Sequence, residues 1–326
     1  MLGTVHTVGK TYEGGVPLAE VVRSGFVEGV HRGSVVVLDA AGEPVAGAGD
    51  VTSPIFPRSS SKPMQAIGML RAGLPFTDPA DIALVAASHA GEEFHVERVT
   101  ALLRDAGLTE EALHCPPDLP FGEAAREAVL RAGGGPARVL MNCSGKHAGM
   151  VRTCLAAGWP LDGYWQPEHP LQQCLTATIE EFAGERAAAV GVDGCGAPVL
   201  AVSLTGLARA FLRLVEAEPG TVERTVADAM RTYPELVGGT QAEDTRLMRG
   251  VPGLLAKIGA EGVIAAAIPE VGAVALKIDD GAARGRTPVL VSALARLDVR
   301  APVLTEYAES PLLGGGLPVG AIRPLW

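Results

Sequence analysis

The chain has 326 residues, with 27 Lys and Arg against 37 Asp and Glu and a net charge of −10. That acidity repels a phosphate backbone and no basic stripe interrupts it, which argues against nucleic-acid binding. Hydrophobic residues at 48%, and 41 Gly and 24 Pro without a G-X-Y period, exclude wholesale disorder, collagen and coiled coil. Met1 to Gly15 has no basic segment leading into an apolar one, so no signal peptide is expected. Apolar runs such as Val263–Ile268 fall far short of the ~20 residues of a membrane helix. Five cysteines (Cys115, Cys143, Cys154, Cys174, Cys195) diluted over such a length are no disulfide framework. A protein of a reducing cytoplasm is the expectation.

In chain order, residues 18–49 alternate β-branched residues with turn signals and read as antiparallel strands. Residues 58–63 open a helix ending near Gly73, and Asp78 or Asp81 starts another through Ala87. Residues 93–107, 111–113 and 123–132 read as helical, with residues 144–158 and 170–183 stronger. A strand at 186–192 runs into the turn Gly194-Cys195-Gly196. Residues 198–204 lead to a helix at 207–217, followed by one at 222–232. Residues 264–268 and 274–278 form a hairpin, 287–297 a last helix, and 312–326 an irregular tail. Strands at both ends with helices between predict one α+β unit, residues 1–326, whose first and last segments share a sheet.

The lysines are informative. There are 22 Arg but only five Lys: Lys10, Lys62, Lys146, Lys257 and Lys277. A Lys kept in such a chain is a candidate for a place that needs an amine able to lose its proton, which a guanidinium cannot do. Ser59 and Lys62, in Arg58-Ser59-Ser60-Ser61-Lys62, are three apart at a helix start, so their side chains share a face. A neutral amine there could activate the hydroxyl, in the S-x-x-K arrangement of β-lactamases and penicillin-binding proteins. A serine N-cap beside a solvated lysine is the alternative.

Cys143, Lys146 and His147 stand in Asn142-Cys143-Ser144-Gly145-Lys146-His147, and Cys195 follows in Asp193-Gly194-Cys195-Gly196. Two sulfurs in Gly-rich turns suit a soft metal, with buried reduced thiols as the alternative. Ser88, in Ser88-His89-Ala90-Gly91, ends an apolar element. Lys277 interrupts the apolar run 274–278, where it must be paired, lose its charge, or face outward. His169 precedes a helix and reads as a cap neighbour, while His6, His31, His95 and His114 have no evident partners. No G-x-S-x-G, Walker A, dinucleotide fingerprint or H-E-x-x-H occurs.

These four segments, with Glu168-His169-Pro170 and Leu276-Lys277 as a fifth and sixth, resemble in order and spacing the bacterial asparaginase II family, the thermolabile Rhizobium-type L-asparaginases. The resemblance implies a serine β-lactamase/glutaminase-like α+β fold, with an antiparallel sheet from both chain ends and a helical region. It implies hydrolysis of L-asparagine to aspartate and ammonia by a homodimer. By resemblance, Ser59 with Lys62 and Ser88 with Lys277 form two catalytic Ser–Lys tandems. Cys143, Lys146 and Cys195 are zinc ligands, His147 and Asp193 lie behind them within reach of substrate, and Arg58 meets the substrate carboxylate. Three consecutive serines leave the nucleophile open between Ser59 and Ser60. The chain lacks S-D-N and K-T-G, so lactam chemistry is not carried over. The alternatives are a glutaminase or other serine amidohydrolase, or a non-catalytic zinc- and amino-acid-binding protein.

Overall fold

A computed structural model describes residues 11–326; His6, Lys10 and most of the Met1–Gly15 segment lie outside them. β-branched residues build β1 (Val16–Arg23), β2 (Phe26–Asp39) and β3 (Pro44–Ala48), with a short β4 (Pro54–Ile55). A 3-10 turn, Arg58–Ser61, then runs straight into α1 (Lys62–Arg71). Pro63 in the first turn of α1 lacks only an N–H that would have no helical partner. Next come α2 (Pro79–Val85), α3 (Glu93–Arg104), α4 (Glu123–Arg131), α5 (Ser144–Ala157) and α6 (Pro170–Ala183). Asp78 caps α2 by accepting the Ala80 N–H, and His169 caps α6 through Leu171 N–H.

Short strands β5 (Val190–Val192), β6 (Pro198–Leu200) and β7 (Val202–Ser203) precede α7 (Leu204–Glu216), α8 (Val222–Thr232), α9 (Pro234–Val237) and α10 (Glu243–Gly250). The chain closes with β8 (Leu255–Ile258), β9 (Val263–Ile268), β10 (Gly272–Ile278), α11 (Ala283–Ala295), α12 (Pro302–Glu306), β11 (Ser310–Gly314) and β12 (Leu317–Pro324).

The main sheet is antiparallel, in the order β11-β12-β1-β2-β10-β9-β8, with β3 also on β2. β2 is long enough to change partners: it pairs β1 up to Gly33, then β3 from Val35, with β10 on its other side throughout that second half. Gly33 sits at the changeover, where a Cβ would lie 2.1 Å from the Lys277 carbonyl. All of β9 is buried, and α7 and α11 pack on the sheet's central strands. The helical layer is built on α1, which packs against α5, α6 and α8.

The α+β architecture with both chain ends in one sheet is therefore as expected. The tail is not irregular. Residues 310–324 form a hairpin whose inner strand pairs β1, and Leu312 and Ile322 are buried in the core. Glycines and prolines there masked a strand whose support is tertiary. The segment 234–258, unassigned in the sequence, supplies α9, α10 and β8.

Candidate active site

The turn Arg58–Ser61 wedges between the sheet's β8 edge and the helical layer. Arg58 has φ 53°, left-handed for a non-glycine residue, a strain on the order of 1–3 kcal/mol that surrounding contacts must offset. Its Nε donates to Asp193 Oδ1 at 2.7 Å, and Nη1 lies 3.7 Å from Glu261 Oε1. Two of the three serines are occupied. Ser60 Oγ donates to the Lys257 carbonyl at 3.0 Å, and Ser61 Oγ to the Arg58 carbonyl at 2.9 Å. Ser59 is half-buried and, among the described residues, makes no side-chain hydrogen bond. Gly259 lets β8 approach the turn: a Cβ there would sit 2.4 Å from the Pro57 carbonyl and 2.9 Å from Ser60 Oγ.

Lys62 follows Ser59 by one turn and is fully buried. Its Nζ donates to the Ala87 carbonyl, to Ser88 Oγ at 2.9 Å and to Cys143 Sγ at 3.1 Å. These three acceptors match the three N–H bonds of an ammonium. Lys62 thus pairs with Ser88 rather than with Ser59.

Lys277 does not pair with Ser88. It is half-buried, and its Nζ donates to the Glu261 carbonyl at 2.9 Å and the Ile278 carbonyl at 3.2 Å. Burial lowers its pKa, but at the strand end the amine turns back onto backbone oxygens, the snorkelling open to a long side chain. The lysine enclosed near Lys62 is Lys257, 1% exposed on β8. Its Nζ donates to the Ile258 carbonyl at 3.0 Å and lies 3.6 Å from Asp244 Oδ2. Burial pulls its pKa down to about 8, with Asp244 opposing and the Lys62 charge assisting. Sequence reasoning counted Lys257 without assigning it a place. The available signal was Leu254-Leu255-Ala256-Lys257-Ile258-Gly259, an apolar run entering a lysine and a close-packing glycine.

Cys143, Lys146, His147 and Cys195 are all buried and come together behind Lys62. Lys146 Nζ donates to Cys195 Sγ at 3.1 Å. The two thiols behave as a pair. Cys143 and the Lys146 charge hold the Cys195 thiol far below its ordinary value despite burial, while Cys195 and burial push the Cys143 thiol well above. Burial opposes a charge on Lys146, but the Cys195 thiolate, with Asp193, favours the protonated amine.

His147 is lowered to about 4 by burial, so its ring is neutral. Tyr164 Oη accepts the His114 N–H at 2.7 Å and meets His147 Nδ1 at 2.6 Å. His147 Nε2 is buried and has no hydrogen-bond partner among the described residues. His147 backs the thiols from inside the core and does not line an open cleft.

Among the described residues no three His, Cys, Asp or Glu side chains converge as a metal site. Two thiols and an amine do converge, and as donors they fit a soft divalent ion once Cys143 and Lys146 release their protons. Cys115 and Cys154 are core residues.

Residues 19–324 match the L-asparaginase II family, and the chain belongs to that family. No curated protein matches the chain. Solved structures similar to it include Mglu in its native form, at 17% identity and TM-score 0.43, covering 82% of this chain and 64% of that one. A β-lactamase from Mycobacterium bovis is 17% identical with TM-score 0.44, covering 81% and 94%. A Bacillus glutaminase is 15% identical with TM-score 0.33, covering 76% and 83%. The chain thus spans less than two thirds of Mglu. No described helix is long and apolar enough to cross a membrane.

Proposed function

We propose that the protein hydrolyses L-asparagine to aspartate and ammonia, with Ser59 as the nucleophile. The observation that carries this reading is the uncommitted Ser59 hydroxyl on a turn whose neighbours include two buried lysines, Lys62 and Lys257. A lysine amine in its neutral form takes the Ser59 proton, and Oγ attacks the side-chain amide carbon. Backbone N–H groups at the start of α1 are candidates to stabilise the oxyanion. The protonated lysine returns the proton to the departing ammonia, and water hydrolyses the resulting ester on Ser59. Ser88, bonded to Lys62, relays protons between the amine and the cleft. Arg58 receives the substrate α-carboxylate and Asp193 the α-ammonium, so the Arg58–Asp193 pair opens to admit an amino acid.

Cys143, Lys146 and Cys195 would hold zinc, which when bound supplies a Lewis-acid positive charge that positions and polarises substrate. The reading extends to one catalytic unit over the chain, on a β-lactamase/glutaminase-like scaffold, working as a cytoplasmic homodimer. The Lys62–Ser88 bond favours a second reading in which Ser88 is the nucleophile.

Ammonia release from asparagine and from glutamine, and opening of a chromogenic β-lactam, with and without chelator, test the reaction. Mass spectrometry of the acid-quenched enzyme tests the nucleophile. Release from asparagine alone and an acyl adduct on Ser59 are expected. Preference for glutamine gives a glutaminase, an adduct on Ser88 gives the second reading, and binding of asparagine without turnover leaves an amino-acid-binding protein.

A further inference from the structure

Asp244 lies on α10, outside the serine turn and away from the thiols. It is 2% exposed and Lys257 1%, so the two form an ion pair inside the core at 3.6 Å. The surroundings are shaped around this carboxylate. Its Oδ1 accepts the Thr245 N–H at 3.1 Å. Gly238 faces it with no Cβ, which would lie 2.4 Å from Oδ1. Thr245 Oγ1 in turn donates to the Pro234 carbonyl at 2.8 Å, fixing α10 to α9.

Among the described residues, the titratable groups that act most on Lys257 are Asp244 from α10, Lys62 from α1, and Cys143 from the start of α5. Lys62 repels a charged amine. Cys143 favours a charged amine only as a thiolate. Burial also favours the neutral amine. Asp244 is therefore the carboxylate among them, and it favours the charged form.

Resting on the reading of Lys257 as a proton carrier for Ser59, we propose that Asp244 is a positioning residue that fixes the Lys257 amine beside the serine turn and sets the pH at which it releases its proton. The effect has a definite sign. Removing the carboxylate makes the proton easier to lose, so whichever limb of the pH–rate profile belongs to Lys257 moves to lower pH. An opposite charge at such a distance is worth about 1–3 pH units.

Asp244→Asn keeps the shape and the Thr245 contact, and Asp244→Ser is a smaller second variant. The measurements are kcat/KM for ammonia release from pH 5 to 10, and the titration of the Lys257 signal in protein carrying 13C-labelled lysine. Only five lysines contribute, and Lys257→Ala identifies the resonance. In the Asp244 variants, the Lys257 limb and the Lys257 resonance should both move to lower pH by that amount. A uniform loss of activity, with limb and resonance where they are in the wild type, overturns the proposal. The underlying reading fails separately. If Lys257→Ala keeps the wild-type rate and both limbs, Lys257 carries no proton in the reaction, while the resonance still reports whether Asp244 holds it.

Discussion

Three consecutive serines differ here in what their hydroxyls already do. Ser59→Ala should lower kcat on the order of 10⁴-fold or more, as removal of a nucleophile does. Ser60→Ala removes only a bond to the Lys257 carbonyl, costing about 1 kcal/mol of stability with kcat within tenfold. Ammonia assays and thermal melts of both variants check this, and the reverse ranking would move the nucleophile to Ser60.

Lys257 carries a second prediction, in stability. Its pKa falls from 10.5 to about 8 on folding, so between these pH values the unfolded chain holds the extra proton. Stability from this group therefore rises with pH across that window, and below pH 8 its penalty is constant. The rise amounts to about 3 kcal/mol at most. Urea melts of wild type and Lys257→Met at pH 7.5 and 10 should show it in the difference, with no such rise in the variant.

Zinc is a third matter of individual residues. About one ion per chain should be found by elemental analysis of protein purified without added metal. It should be lost on Cys143→Ser or Cys195→Ser and should bind more weakly as pH falls. A metal-free, fully active preparation would make the thiol cluster structural.

The contact between β8 and the serine turn depends on Gly259. Gly259→Ala pushes a methyl into the Pro57 carbonyl, so the turn has to move. A stability loss of about 1–3 kcal/mol is expected. A fall in kcat of about 100-fold should follow from displacement of Ser59. Gly135→Ala, with nothing within 4 Å of the added methyl, is the control and should match wild type in melts and turnover.

This contact also shows what the sequence could and could not disclose. Periodicity and caps locate α5, α6 and α8, and the strands of residues 16–48, because those signals are local. The place of Lys257 is not local. Leu255–Ile258 is a four-residue strand, too short for a period-2 pattern to stand out. Lys277, in a longer apolar run, attracts the same argument that a lysine there must be paired. What separates them is the tertiary neighbourhood: β8 borders the serine turn and Asp244, whereas the Lys277 amine ends on two carbonyls. The motif segments around Ser59, Ser88, Cys143 and Cys195 were legible because each joins a reactive side chain to a turn or helix start. Asp244, Tyr164 and the Lys62–Ser88 pairing were not, since their meaning lies in distances between remote segments.

At the scale of the molecule, the sheet joins residues from opposite ends of the described chain. β12 lies between β11 and β1, so removing residues 310–326 would strip two strands and leave the β1 edge open. Such a truncation should give aggregated protein without a cooperative melt, although it removes none of the site residues. Soluble yield and near-ultraviolet circular dichroism would check this.

The same pairing has a consequence for biosynthesis. β1 can form a hairpin with β2 as soon as both have left the ribosome, but its other neighbour is encoded about 300 residues later. At roughly 5–20 residues per second, β1 waits on the order of 15–60 s with one edge unsatisfied. Each nascent chain is therefore exposed to edge-to-edge association with its neighbours on a polysome. Slowing translation over the last codons should lengthen that interval and lower the yield of active enzyme without altering a single residue.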